Sequence, residues 1–214
     1  MPEILQHISS AVIQGEKDKT HQMAREAIDG GCRAEDVLYK GLMPGMDHVS
    51  VEFKAGRMFV PEVMRSARAM LNAMAVIKPL MVEKGIRMTG KLILGTVQGD
   101  LHDIGKNLVG MMCEGAGFEI HDLGTDVAPE AFVAAVKEVE PDIVGMSALL
   151  TTTMRRMGDT VKALTEAGVR DQVKIIIGGA PVSQTFADKI GVDGYAPDAA
   201  AAADKAKELT AATR

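Results

Sequence analysis

The hydrophobic period changes once along this 214-residue chain, and that change limits what it can fold into. Over about the first 85 residues, apolar side chains recur only at spacings of three and four. Ile4, Leu5, Ile8, Ala11 and Val12 form one stripe; Leu38, Leu42, Met46, Val49 and Phe53 form another. The longest stripe runs through "VPEVMRSARAMLNAMAVIKPLMVEKG", with Val60, Val63, Met64, Ala67, Met70, Leu71, Met74, Ile77 and Met81 on one face. Pro61 and Glu62 suit its first turn, where a missing N–H costs nothing and a carboxylate meets the positive end of the helix dipole. Pro79 is expected to kink it late. The stripes predict four helices, a small bundle over residues 1–86 with methionine as core filler.

Beyond "GIRMTG" the pattern becomes strand and helix in alternation. "KLILGTV", "GFEIHDLG", "PDIVGMSA" and "VKIIIGG" read as strands separated by amphipathic helices, with a weaker fifth unit in "IGVDGYAPDAAAAADKAKELTAA". This predicts an α/β domain over residues 90–214, a doubly wound parallel five-stranded sheet with helices on both faces. The "EKGIRMTG" segment between the halves is the expected hinge. In such sheets ligands sit beyond the carboxyl ends of the strands. The turn holding Asp100 and His102, the "SALLTTT" segment and "GGAPV" all fall there.

Charge and composition narrow the function. The formal charge is −5 and no Lys/Arg block stands out, so nucleic acid and anionic membrane are poor partners. The acidic, amphipathic N-terminus does not read as a signal peptide. No apolar run approaches the roughly 18 residues of a membrane span. Cys32 and Cys113 lie far apart without metal-ligand spacing, and both are expected to be buried, reduced thiols. The expectation is a cytoplasmic protein.

The segment "TVQGDLHDIGKNLVGMM" places an imidazole between two carboxylates, Asp100 and Asp103, at the end of a strand. No GxGxxG or GxxxxGK[ST] follows that strand, so phosphate-cradling turns are absent. "GMSAL" is not a nucleophile elbow, and the other histidines and the cysteines lack zinc spacing. Two readings stay open. His102 either belongs to a capped turn or serves as a single axial ligand, with Asp100 holding one ring nitrogen and leaving the other for a metal. One protein ligand suffices only where a macrocycle already holds the metal.

"DLHDIG" has the form Asp-x-His-x-x-Gly; 41 residues separate Gly105 from Ser147 of "SAL", and 28 more separate Leu149 from Gly178–Gly179. This three-part spacing resembles the signature of base-off, His-on cobalamin-binding domains. The N-terminal half resembles the helical cap of methionine synthase and of the corrinoid proteins of anaerobic methyltransferase systems. "GLMPGMDHVSVEF", "AGRMFVPEVMRSARAM" and "GTVQGDLHDIGKNLV" look most like the latter. The resemblance covers nearly the whole chain. It implies a four-helix cap followed by a flavodoxin-like or Rossmann-like cobalamin domain.

The resemblance also implies roles. His102 replaces the cofactor's dimethylbenzimidazole as lower ligand to cobalt, Asp100 hydrogen-bonds it, and Thr153 stands where a serine often completes the relay. The turn of Gly99, Leu101, Asp103, Ile104 and Gly105 lies against the cobalamin with them. Ser147 and Leu149 line the slot for the displaced nucleotide tail, Thr151 lies near the corrin edge, and Ala199 contacts the corrin. Gly105, Gly178 and Gly179 carry no side chain where the tail passes. Phe53 and Val60 match the pair that covers the methyl-bearing face, though leucine is usual at the second position. His48, His121 and Asp126 are read as turn and surface residues.

The implied activity is methyl carriage on cobalt between Co(I) and methyl-Co(III), shared with other proteins rather than complete in one chain. The implied partners are a substrate-specific methyltransferase, a methyl-acceptor methyltransferase using tetrahydrofolate or a thiol, and a reductive activation protein. The competing reading is a cobalamin-dependent sensor, whose bundle carries a tryptophan; this chain has none. A mutase or isomerase subunit lacks the methyl-covering cap.

Overall fold

A computed structural model describes residues 3–86 and 88–212. Arg87, within the expected hinge, lies outside the described residues. The chain forms two compact units, one containing residues 1–88 and the other containing the whole sheet.

The first unit is helical, as its apolar period requires. Helices α1 (Glu3–Gln14) and α2 (Lys17–Asp29) precede an unbroken run of α3 (Ala34–Asp36), a π-helical segment (Val37–Leu42) and α4 (Met43–Lys54). Helix α5 (Val60–Glu83) follows, so the described residues form four helical runs. Leu5, Ile8, Leu38, Leu42, Val49, Val63, Met70 and Ile77 are buried from the predicted stripes. Glu62 closes the first turn of α5 by accepting the Phe59 N–H at 2.9 Å. Pro79 sits inside α5, which continues to Glu83.

The π segment has a local cause. Pro44 has no N–H to give to the carbonyl four residues back, so the α-helical ladder is broken there. Gly41 and Gly45 face α1 on this stretch; a Cβ on Gly45 would lie 2.8 Å from Val12 Cβ. Small residues one turn apart thus let the two helices approach closely.

The second unit is a parallel sheet in the order β2-β1-β3-β4-β5. Its strands are β1 (Gly90–Val97), β2 (Phe118–Val127), β3 (Ile143–Ser147), β4 (Lys174–Gly178) and β5 (Gly194–Ala196). Helices α6 (Ile104–Gly115), α7 (Pro129–Val139), α8 (Arg155–Glu166), α9 (Gln184–Ile190) and α10 (Ala199–Ala211) form the crossovers and the close of the chain. Ile93, Val97, Val144, Met146, Ile175 and Ile177 pack with Phe132 and Val136 of α7 and Met157 and Leu164 of α8. On the opposite face Gly110 of α6 rests against Leu94. The central strands β1, β3 and β4 are largely buried on both faces and read as continuous apolar runs, whereas the edge strand β2 is only partly buried. The strand order reverses between β1 and β3, so their carboxyl ends splay their loops apart and leave a crevice.

One expectation is corrected here. Cys113 is buried on α6, but Cys32 is only half-buried in the loop after α2; both are free thiols. Among the described residues no helix is long and apolar enough to cross a membrane.

Candidate functional site

The loops after β1 and β3 meet over that crevice through one carboxylate. Asp100 is completely buried, in a chain position that has just left β1. Its Oδ1 accepts from the His102 backbone N–H at 3.1 Å and from His102 Nδ1 at 2.7 Å. The first of these bonds makes an Asx turn, the local habit of aspartate, and it folds the imidazole back onto its own partner. Oδ2 accepts from the Leu149 N–H at 2.8 Å and the Thr153 hydroxyl at 2.6 Å, both on the β3 side. Four donors therefore converge on two oxygens.

Burial alone would raise the Asp100 pKa, but the bonds from Thr153, Leu149 and His102 outweigh it and hold the carboxyl well below its ordinary range. The group is thus ionised and can only accept. Nδ1 of His102 must carry a proton, and the lone pair of a neutral ring is left on Nε2. The ring is 53% exposed while its carboxylate is fully covered. Thr96, buried in β1, donates to the His102 carbonyl at 2.9 Å and ties down the far end of the turn.

Around this half-exposed imidazole stand large apolar side chains in water. Leu101 is 73% exposed, Ile104 78%, Leu149 44% and Leu150 43%. Leu101 and Ile104 flank His102 in the chain, and Leu149 and Leu150 are tied to Asp100 and Thr153 by the bonds of the β3 loop. Such a collar is costly unless something broad and apolar covers it. Among the described residues no group of three or more His, Cys, Asp or Glu could hold a metal ion. The site offers one nitrogen ligand inside an apolar rim, which fits a metal already held in a flat macrocycle and does not fit a bare ion.

The other predicted residues are distributed unequally. Ser147 ends β3 and pairs in register with both Thr96 and Gly178, so it borders the same crevice. Thr151 is exposed in the β3 loop, and Asp103 is exposed, accepting from the Asn107 side chain at 3.1 Å. The three glycines have different causes. A Cβ on Gly105 would meet nothing within 4 Å, so the fold itself does not demand glycine there. At Gly178 a Cβ would lie 2.9 Å from the Ala196 carbonyl, and at Gly179 only 1.8 Å from that of Ala148, with φ at +125°. Those two are glycine because the sheet's own backbone leaves no room. Ala199 is buried in the first turn of α10, beyond the edge strand β5. Phe53, half-buried near the end of α4, and Val60, 36% exposed at the start of α5, belong to the helical unit.

The sequence reading misses Thr96, Leu150 and an ion pair behind the turn, in which the buried Lys106 Nζ is bonded to the partly exposed Asp122. The available signals were a hydroxyl inside an apolar strand, a second leucine beside Leu149, and a lysine one turn beyond His102.

A parallel sheet that presents one imidazole backed by a buried carboxylate, with exposed Leu101, Ile104, Leu149 and Leu150 in the same two loops, defines a class: a binding domain for a flat, metal-bearing cofactor. Comparison with known proteins identifies the family. Family models for a B12 binding domain match residues 90–204 and, separately, residues 4–78, and the chain belongs to the B12-binding corrinoid proteins. Its cofactor is accordingly a corrinoid, cobalamin or a relative, with cobalt as the metal. The chain is 44% identical over 211 residues to a dimethylamine corrinoid protein of Methanosarcina barkeri, covering 98% of each. It is 42% identical over 209 residues to a corrinoid protein of Desulfitobacterium hafniense (strain Y51), covering 96% of this chain and 97% of that one. The fold also matches a chain of the methanol:cobalamin methyltransferase complex of Methanosarcina barkeri, with TM-score 0.86 and 32% identity over 98% of this chain and 80% of that one.

Proposed function

We propose that this chain is a corrinoid methyl carrier of the methylamine type, with His102 as the residue that would hold the corrinoid's cobalt. The observation that carries the assignment is the Asp100 carboxylate, saturated by four donors and imposing the Nδ1–H form on a half-exposed imidazole. The bound corrinoid supplies a cobalt that takes a methyl group from one methyltransferase and gives it to another. The chain's own residues do the rest. Asp100 orients the ring and makes Nε2 a stronger donor, and Thr153 holds Asp100 ionised. His102 would hold the corrinoid's cobalt through Nε2, while the buried carboxylate fixes the ring through Nδ1–H.

The histidine turn, with Gly99, Leu101, Asp103, Ile104 and Gly105, would lie against the bound corrinoid. Ser147 and Leu149 would line the slot for the displaced nucleotide tail, where Gly178 and Gly179 carry no side chain, and Thr151 and Ala199 would lie near the corrin. Phe53 and Val60 of the helical unit match, by resemblance alone, the pair that shields the methyl group in this family. The partners are a substrate-specific methyltransferase, an acceptor methyltransferase and a reductive activation protein. The identity to methylamine corrinoid proteins supports a methylated amine as the donor's origin.

Electron paramagnetic resonance of the Co(II) form, with nitrogen-15 histidine, tests the ligand. Coupling to one histidine nitrogen is expected, and it should vanish in His102→Ala. Coupling to benzimidazole nitrogen would sink the assignment. Methyl transfer from dimethylamine, trimethylamine, methanol, betaine and aromatic methyl ethers, each with its methyltransferase, tests the donor class.

A further inference from the structure

Strand β2 carries a residue that grips the histidine turn from outside it. β2 pairs with β1 in register from Gly90↔Phe118 to Leu94↔Asp122, then slips to Gly95↔Gly124 and again to Val97↔Val127. Each slip is a bulge, one extra residue in β2, and bulges beside sites re-aim side chains. Within the second bulge Asp126 adopts φ of +55°, left-handed backbone that few non-glycine residues enter. Turned this way, Asp126 meets the loop after β1 with both its side chain and its backbone. Its Oδ1 accepts the Gly99 N–H at 2.7 Å, and its own N–H donates to the Asp100 carbonyl at 3.0 Å. The two bonds bracket the Gly99–Asp100 pair. Gly99 itself has φ of +83°, and glycine there would wander without a partner.

We propose that Asp126 is a positioning residue for the corrinoid: by clamping Gly99–Asp100 it sets how far, and at what angle, His102 reaches the metal. The inference rests on His102 being the axial ligand. It goes beyond that reading because the bonds of Asp126 go to the backbone of Gly99 and Asp100 and not to the imidazole, so it acts through Asp100. The competing account is a plain bulge residue, whose task is only to occupy left-handed backbone. Substitution separates the two. Glycine enters that region without cost, so Asp126→Gly suits the bulge, keeps the backbone bond to Asp100 and removes the side-chain half of the clamp, the bond from the Gly99 N–H. Asn keeps an acceptor oxygen and tolerates the same backbone, so Asp126→Asn preserves both.

The experiment compares full-length wild type, Asp126→Gly, Asp126→Asn and His102→Ala, each loaded with cob(II)alamin. Histidine-nitrogen coupling in the paramagnetic resonance spectrum measures ligation. Wild type and Asp126→Asn are expected to share one spectrum, while in Asp126→Gly the fraction without histidine coupling rises by about tenfold, the usual size of a lost supporting partner. Amide hydrogen exchange of the cofactor-free proteins reads the clamp directly. The Gly99 amide is expected to be protected in wild type and Asp126→Asn, and to exchange at least about tenfold faster in Asp126→Gly. A wild-type spectrum in Asp126→Gly, with coupling lost in His102→Ala, overturns the clamp and leaves the ligand standing. Coupling that survives in His102→Ala overturns the ligand and the inference together. Should Asp126→Gly not fold, exchange in wild type decides: a Gly99 amide as fast as an exposed loop amide overturns the proposal.

Discussion

Asp100 faces two donors on each oxygen, and an amide cannot meet that demand. Asn offers one acceptor oxygen and an NH2 that only donates, so Asp100→Asn satisfies either the His102 side or the Leu149–Thr153 side. The variant is expected to lose roughly 10- to 100-fold in corrinoid affinity, read by titration of the cofactor-free protein. The acid behaviour follows from the same bonds. The Asp100 carboxyl is held below its ordinary value of 3.8, so its partners contribute stability that is present above that value and lost as pH falls through the lowered one. The gap in melting temperature between wild type and Asp100→Asn should therefore narrow from about pH 6 to about pH 2. A gap that is constant over this range would mean the carboxyl is not held ionised. A second residue-scale contrast lies in the thiols. Burial pushes Cys113 up to about 12, whereas Cys32 is half-buried. Iodoacetamide is expected to modify Cys32 alone in the native protein and both after denaturation. Asp100 and His102 were legible because their spacing is itself the motif; the four donors were not, since Leu149 acts through a backbone N–H that any residue supplies.

At the scale of elements, α6 is anchored behind the histidine turn by an ion pair of unequal halves. Lys106 is 2% exposed, while the Asp122 side chain on β2 is 45% exposed; Lys106 Nζ also reaches Asn107 Oδ1 at 2.8 Å. Removing each partner should therefore cost differently. Asp122→Ala strands a buried ammonium and is expected to lower stability by about 1–3 kcal/mol. Lys106→Met leaves a carboxylate that water already reaches and puts an apolar stem in an apolar place, so its cost should be below about 1 kcal/mol. Urea unfolding of the two variants checks the order; the reverse order would mean the pair is governed by the carboxylate. The strand that supplies Asp122 shows where sequence reading stopped. The apolar pattern marks "GFEIHDLG" as the strand, but β2 runs on to Val127. Its two bulges break the alternation of faces at the point where the site begins, so period-based reading ended early. The π segment was hidden for a similar reason: its apolar residues keep helical spacing, and only Pro44 marks the broken ladder.

For the whole molecule, the change of period near residue 86 was the most legible feature, because it changes which side chains must be buried together. What the period cannot convey is the work of the helical half. Its buried methionines and valines account for its own core, and Phe53 and Val60 are left half-buried or exposed. On the proposal that these two cover the methyl-bearing face, the helical half protects a light- and oxygen-sensitive bond and must release it to each partner. The sheet half holds Asp100, His102, Ser147 and Thr153, so residues 90–214 alone are expected to bind methylcobalamin but to leave it unshielded. Phe53→Ala in the full chain should give a milder form of the same defect, since one aromatic wall is lost while the α4 and α5 cores remain. Photolysis of bound methylcobalamin under one lamp compares the three proteins, with the full chain slowest, Phe53→Ala intermediate and the sheet half fastest. Equal rates would show that neither residue covers the methyl, and the helical half would then be a docking module for partner methyltransferases.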